Sequence, residues 1–93
     1  MKVKEVLAML YGVKVGEVHF SVGIVLVDTC QGDVSDVYHH DAYGWSAFKV
    51  DSFSVELGND YMDPVLTIDM DVTDYRRRLE IARCLIRDPL FVL

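Results

Sequence analysis

Arg76, Arg77, Arg78, Arg83 and Arg87 are all the arginines of this chain, and they share one short segment, "DYRRRLEIARCLIRDP". At about 100° per residue on a helix, Arg76, Arg83 and Arg87 align in one stripe. Tyr75, Leu79, Ala82 and Ile86 fall in a separate apolar sector, with Ile81 and Leu85 beside it. Guanidinium groups in a row suit a phosphate or a carboxylate, because each planar fork can hold two oxygens. A phosphorylated nucleotide is one ligand of that kind, with Trp45 or Tyr43 available to stack on its base. Three arginines in a first helical turn oppose the helix dipole. The acids just upstream, Asp69, Asp71 and Asp74, are the expected counterweight.

A second candidate is Tyr38-His39-His40-Asp41, two imidazoles and a carboxylate in a row. Metal ligands must converge on one point. Adjacent histidines on a strand face opposite ways, so His39, His40 and Asp41 converge only on a loop. No H-x-x-x-H or C-x-x-C spacing supports them. No glycine-rich phosphate loop, no G-x-S-x-G motif and no calcium-loop order occurs either. The expectation is a non-enzymatic protein without a cofactor.

Charge distribution gives the partner class. The chain carries −6, but residues 1–75 hold four lysines against thirteen acids, a net −9, and residues 76–93 carry +3. An acidic body repels nucleic acid and anionic membrane and suits a basic protein surface. Asp69, Asp71 and Asp74 are the expected acidic contact residues, with Tyr43 and Trp45 as aromatic anchors. Apolar residues make up 52% of the chain, more than a small core hides, which points to a homodimer or a partner groove. Cys30 and Cys84 are too few for a disulfide framework and fit a reducing, cytoplasmic setting. The opening "MKVKEVLAMLYGV" is interrupted by Glu5 and reads as a helix rather than a leader. The longest apolar run, Val22 to Val27, is too short to cross a bilayer.

These groups need a scaffold, and the chain reads as one domain, 1–93. Val3, Val6, Leu7 and Leu10 recur at helical spacing and predict a short helix over 2–11. "EVHFSVGIVLVD" alternates and reads as a single strand, with Gly23 as a bulge or a close approach. Gly32 marks a turn with positive φ. Residues 34–47 show no period and read as a short strand or irregular excursion, then a loop around Gly44. "AFKVDSFSVELG" is a strand whose phase slips, which calls for a bulge near Asp51-Ser52. "PVLTIDMDV" is a strand with Leu66, Ile68, Met70 and Val72 inward. Thr73 or Asp74 caps a final helix to about Arg87, stopped by Asp88-Pro89. The apolar Leu90–Leu93 tail is expected to dock in cis or in trans. The fold class is α+β: a short N-terminal helix, a mostly antiparallel sheet of three to four strands, and a C-terminal helix packed on the same face.

"MKVKEVLAML", "GEVHF", "FKVDSFSVEL" and "DPVLTIDMDV" together resemble small acidic proteins encoded by bacteriophages and prophages. The match covers about half of the chain. The "DVSDVYHHDAYGW" segment and the arginine-bearing helix depart from that pattern. The resemblance brings no catalytic residue. It implies a protein that binds a host protein, as inhibitors of host defence do.

Overall fold

A computed structural model describes residues 1–86, with side chains through Ala82. The fold is α+β, with three helices and a four-stranded, mostly antiparallel sheet. Helix α1 spans Val3–Met9, and its apolar spacing buries Val3, Val6 and Leu7, with Leu10 packed beside them. The Glu5 carboxylate accepts the Lys2 N–H at 3.1 Å and satisfies one orphan donor of the first turn. Two backbone bonds, Val3 N–H to the Phe48 carbonyl and Lys4 N–H to that of Ser46, pin the helix to the loop around residues 45–49.

Residues 17–31 form a hairpin rather than the single strand expected. Strand β1 (Glu17–Val22) turns at Gly23-Ile24 into β2 (Val25–Gln31). Gly23 has φ +61°, which a two-residue hairpin with glycine at its first central position requires. The apolar run hid the turn, because no polar residue breaks it. Nothing lies near the space a Cβ would fill, so the backbone angle alone makes this position glycine. Gly23→Ala should therefore lower stability by about 1–2 kcal/mol, read as a lower urea midpoint at unchanged slope. A register shift between Phe20 and Ser21 leaves Val27 as an extra residue and sets Asp28 opposite Phe20.

Helix α2 (Val34–His39) replaces the strand or excursion expected there. Asp33 caps it: the carboxylate accepts Val34 N–H at 2.8 Å, and Asp36 returns a bond to Asp33 N–H at 3.0 Å. Asp33 also accepts Val15 N–H and pairs with Lys14 at 3.1 Å. Burial raises the Asp33 pKa, but the Lys14 bond and the two backbone donors outweigh it, so the carboxyl sits below its ordinary value. Gly32, at φ +117°, makes the expected turn before the cap.

Strand β3 (Val50–Glu56) has its register break between Val50 and Ser52, where the phase slip placed it. Strand β4 (Val65–Met70) buries Leu66, Ile68 and Met70 as the alternation predicts. Val72 is not inward: it opens helix α3 (Val72–Ile86) and is 40% exposed. Strand order is β2-β1-β4-β3, with a parallel β1–β4 pair between two antiparallel pairs. Val18, Phe20, Leu66, Ile68 and Met70 share one sheet face, and α1 and α2 cover it with Val3, Val6, Leu7, Val34 and Val37. The base of α3 joins the same face through Tyr75, which stacks on Trp45. The expected Leu90–Leu93 docking lies outside the described residues. No described helix is long and apolar enough to cross a membrane.

Candidate interaction surfaces

The described helices pack on one side of the sheet, and among the described residues no helix packs on the other face. Register puts Glu17, His19 and Ser21 of β1 beside Val65, Thr67 and Asp69 of β4. Ser52, Ser54 and Glu56 of β3 continue that face on one side, and Thr29 and Gln31 of β2 on the other. No lysine or arginine occurs among these strand residues, while Glu17, Glu56 and Asp69 do. Glu17 accepts His19 Nε2 at 2.7 Å and Gln31 Nε2 at 2.8 Å. The His19 bond, then the Gln31 bond, lowers the Glu17 pKa below its ordinary value, so the carboxylate stays ionised. Asp69 accepts the Ser21 hydroxyl at 3.2 Å.

The three aspartates expected to act together have three different surroundings. Asp69 faces the open sheet. Asp71 is the N-cap of α3, accepting Asp74 N–H at 2.8 Å, a role expected of Thr73 or Asp74. Asp74 is 7% exposed. Its carboxylate accepts Lys49 N–H at 2.8 Å, an Arg77 guanidinium N–H at 2.8 Å and Arg78 Nε–H at 3.0 Å. Asp74 is thus an internal anchor joining α3 to the residue before β3, and it is withdrawn from any partner face.

The same anchor rearranges the arginines. Arg77 and Arg78 are held by Asp74, and Arg78 lies over the Phe48 ring at 5.4 Å. Arg76 is exposed at the helix base. The Arg83 side chain and Arg87 lie outside what the structure describes, so the expected Arg76–Arg83–Arg87 stripe is seen only at its first member. The apolar sector is also only partly covered. Tyr75 and Leu79 are half-buried, but Ile81 is 57% exposed and Ala82 is exposed.

Tyr43 and Trp45, by contrast, do come together, around an unusual turn. Asp41, Ala42 and Tyr43 have φ of +54°, +53° and +54°, and Gly44 follows at +93°. Three consecutive non-glycine residues in the left-handed region cost about 1–2 kcal/mol each. Several contacts offset this. The Ala42 side chain is 1% exposed, its carbonyl accepts Trp45 N–H at 3.0 Å, and the Tyr43 ring stacks on His40 at 5.3 Å. Trp45 then packs on Phe20, Phe48 and Tyr75, and its Nε1–H donates to Asp28 at 2.7 Å. The turn and the base of α3 enclose an open groove of about 420 Å³, lined by Tyr43, Trp45, Phe48, Leu79, Ile81 and Ala82. On the other flank of α3 lies a second cleft, about 430 Å³, beside the exposed hairpin tip at Ile24. Neither the role of Asp28 nor the exposure of Ile24 and Ile81 was evident from sequence; the apolar run around Gly23 was the one available signal.

The weak metal candidates point apart. His39 bonds the Tyr11 hydroxyl, His40 Nδ1 donates to the Asp36 carbonyl at 2.7 Å, and Asp41 pairs with Lys4 at 3.6 Å. Among the described residues no group of three His, Cys, Asp or Glu side chains is placed to hold a metal ion. Cys30 is 4% exposed, and burial, reinforced by the charge of Asp28, pushes its thiol up to about 11. It is a packing residue with little thiolate at neutral pH. Comparison with protein-family models, curated proteins and solved structures finds no match to the chain.

Proposed function

We propose that this protein is a small non-enzymatic binding module that engages a basic protein surface through the sheet face opposite its described helices. One observation carries the reading: the helices sit on one face, and the strand residues of the other include acids but no lysine or arginine. Hydroxyls and amides from Ser21, Thr29, Gln31, Ser54 and Thr67 share the face with the carboxylates, so it offers hydrogen-bond acceptors and donors. An acidic surface matches a basic one, such as the nucleic-acid channel of a host enzyme. The resemblance to phage proteins that bind host proteins fits the same reading, as an inhibitor or modulator.

Relative to the acidic face read from sequence, the contact set becomes Glu17, Glu56 and Asp69, because Asp71 and Asp74 serve α3. The test uses charge reversal at two half-exposed carboxylates, with circular dichroism to check that the variant keeps its fold. Wild type and the Glu17→Lys/Asp69→Lys double variant are compared for capture of a partner from host lysate at low and at physiological salt. The expected result is at least a roughly tenfold loss of binding in the double variant and weaker capture by wild type as salt rises. Binding indifferent to both changes contradicts the proposal.

A further inference from the structure

We infer that the groove between the left-handed turn and helix α3 is a binding site for a small apolar carboxylate. The groove holds about 420 Å³, within the range of small-ligand sites, and its wall has the composition of such sites. Tyr43, Trp45, Phe48, Leu79 and Ile81 supply aromatic and aliphatic surface, and Arg78 supplies one cation. Among the described residues no acid lines it. Apolar walls around a single guanidinium select a ligand with an apolar body and one negative charge.

The guanidinium is fixed in advance. Its Nε–H donates to Asp74 at 3.0 Å, and it lies over the Phe48 ring at 5.4 Å. Its two Nη groups have no acceptor among the described residues, and their fork matches the two oxygens of a carboxylate. Asp74 does not cancel the charge: one carboxylate serves both Arg77 and Arg78, so two cations against one anion leave a positive cluster. The second support is strain. Asp41, Ala42 and Tyr43 all have positive φ, and strained backbone of this kind clusters at ligand sites. The turn sets the Tyr43 ring on the groove wall, stacked on His40 and still 49% exposed. The cleft on the other flank of α3 lacks both features. Arg76 there is exposed and has no ion pair among the described residues, and Tyr75 is the one aromatic side chain that lines it among them.

This site shares no residue with the acidic sheet face, so the two readings fail separately. Trp45 is the only tryptophan, and its emission reports the groove directly. The experiment titrates the protein with octanoate, kept below its micelle-forming concentration, and with octanol as the uncharged control. Octanoate should shift Trp45 emission saturably, with a dissociation constant at least about tenfold below that of octanol, the scale of a hydrogen bond to a charged group. Arg78→Gln should bring octanoate to the level of octanol. Ala82→Phe narrows the groove and leaves the Arg78–Asp74 pair in place, and it should weaken both ligands by at least about tenfold. Circular dichroism checks that each variant folds. Glu17→Lys/Asp69→Lys should bind octanoate as wild type does. No saturable response in wild type overturns the inference, and so does equal affinity for octanoate and octanol. Octanoate binding left unchanged by both Arg78→Gln and Ala82→Phe overturns it too.

Discussion

Replacing Asp74 with alanine should lower the unfolding free energy by about 2–3 kcal/mol, the scale for leaving a backbone donor unpaired and removing hydrogen bonds to two partly exposed guanidiniums. The carboxylate holds three donors from two directions, Lys49 N–H across the sheet and the Arg77 and Arg78 guanidiniums along its own helix. Without it, Lys49 N–H loses its acceptor and Arg78 loses the group that sets it over Phe48. The same carboxylate gives stability a pH signature. The Lys49 bond first, then the Arg78 and Arg77 bonds, hold the Asp74 pKa at about 2 against an ordinary 3.8, with burial opposing. A depressed folded pKa means the contribution is complete above pH 3.8 and disappears as pH falls through about 2. The integrated effect is about 2 kcal/mol. Asp74→Asn keeps an acceptor for Lys49 but cannot ionise. Urea unfolding of both proteins should therefore show a wild-type advantage at pH 5 that shrinks steadily toward pH 2. An advantage that stays constant over that range contradicts the assignment.

Trp45→Ala should cost about 3 kcal/mol, toward the lower end for removal of a large packed aromatic because the ring is only partly buried. Its side chain joins several elements. It stacks on Phe20 of β1 and Tyr75 of α3, meets Phe48 edge-on at 4.9 Å, and donates to Asp28 of β2. Its removal also takes away support for the left-handed turn, whose strain then favours unfolding. Trp45→Phe separates the two contributions: it keeps the stacking and loses the N–H bond to Asp28, and should cost about 1 kcal/mol. Denaturant curves followed by circular dichroism give both values. Equal losses for alanine and phenylalanine would show that the hydrogen bond, and not the packing, holds this junction.

Much of the scaffold was legible because its signals are local. Val3, Val6 and Leu7 mark α1, Leu66, Ile68 and Met70 mark β4, and the phase slip before Phe53 marks the β3 bulge. The hairpin was hidden for a physical reason. Its turn carries Gly23-Ile24 instead of an Asn-Gly pair, and Ile24 is apolar though fully exposed, so periodicity alone continues the strand. Helix α2 is only six residues long, too short for a period to stand out, and its one signal was the reciprocal Asp33–Asp36 cap. The parallel β1–β4 pairing and the run of positive φ at 41–43 are tertiary outcomes with no local pattern behind them, apart from Gly44. The site divided in the same way. Tyr43 and Trp45 meet in one groove as a pair of neighbouring aromatics can. Asp69, Asp71 and Asp74 looked equivalent in sequence because nothing local tells a solvated acid from one that receives a backbone donor twenty-five residues away.

Binding through the acidic sheet face opposite the described helices is the central claim. Nuclear magnetic resonance titration of isotope-labelled protein with a short arginine-rich peptide tests that face directly, before any natural partner is in hand. Amide shifts should centre on Glu17, His19, Ser54, Thr67 and Asp69, fade as salt is added and be lost in the Glu17→Lys/Asp69→Lys variant. Shifts clustered instead on α1 and α2, or none at any peptide concentration, would contradict the claim.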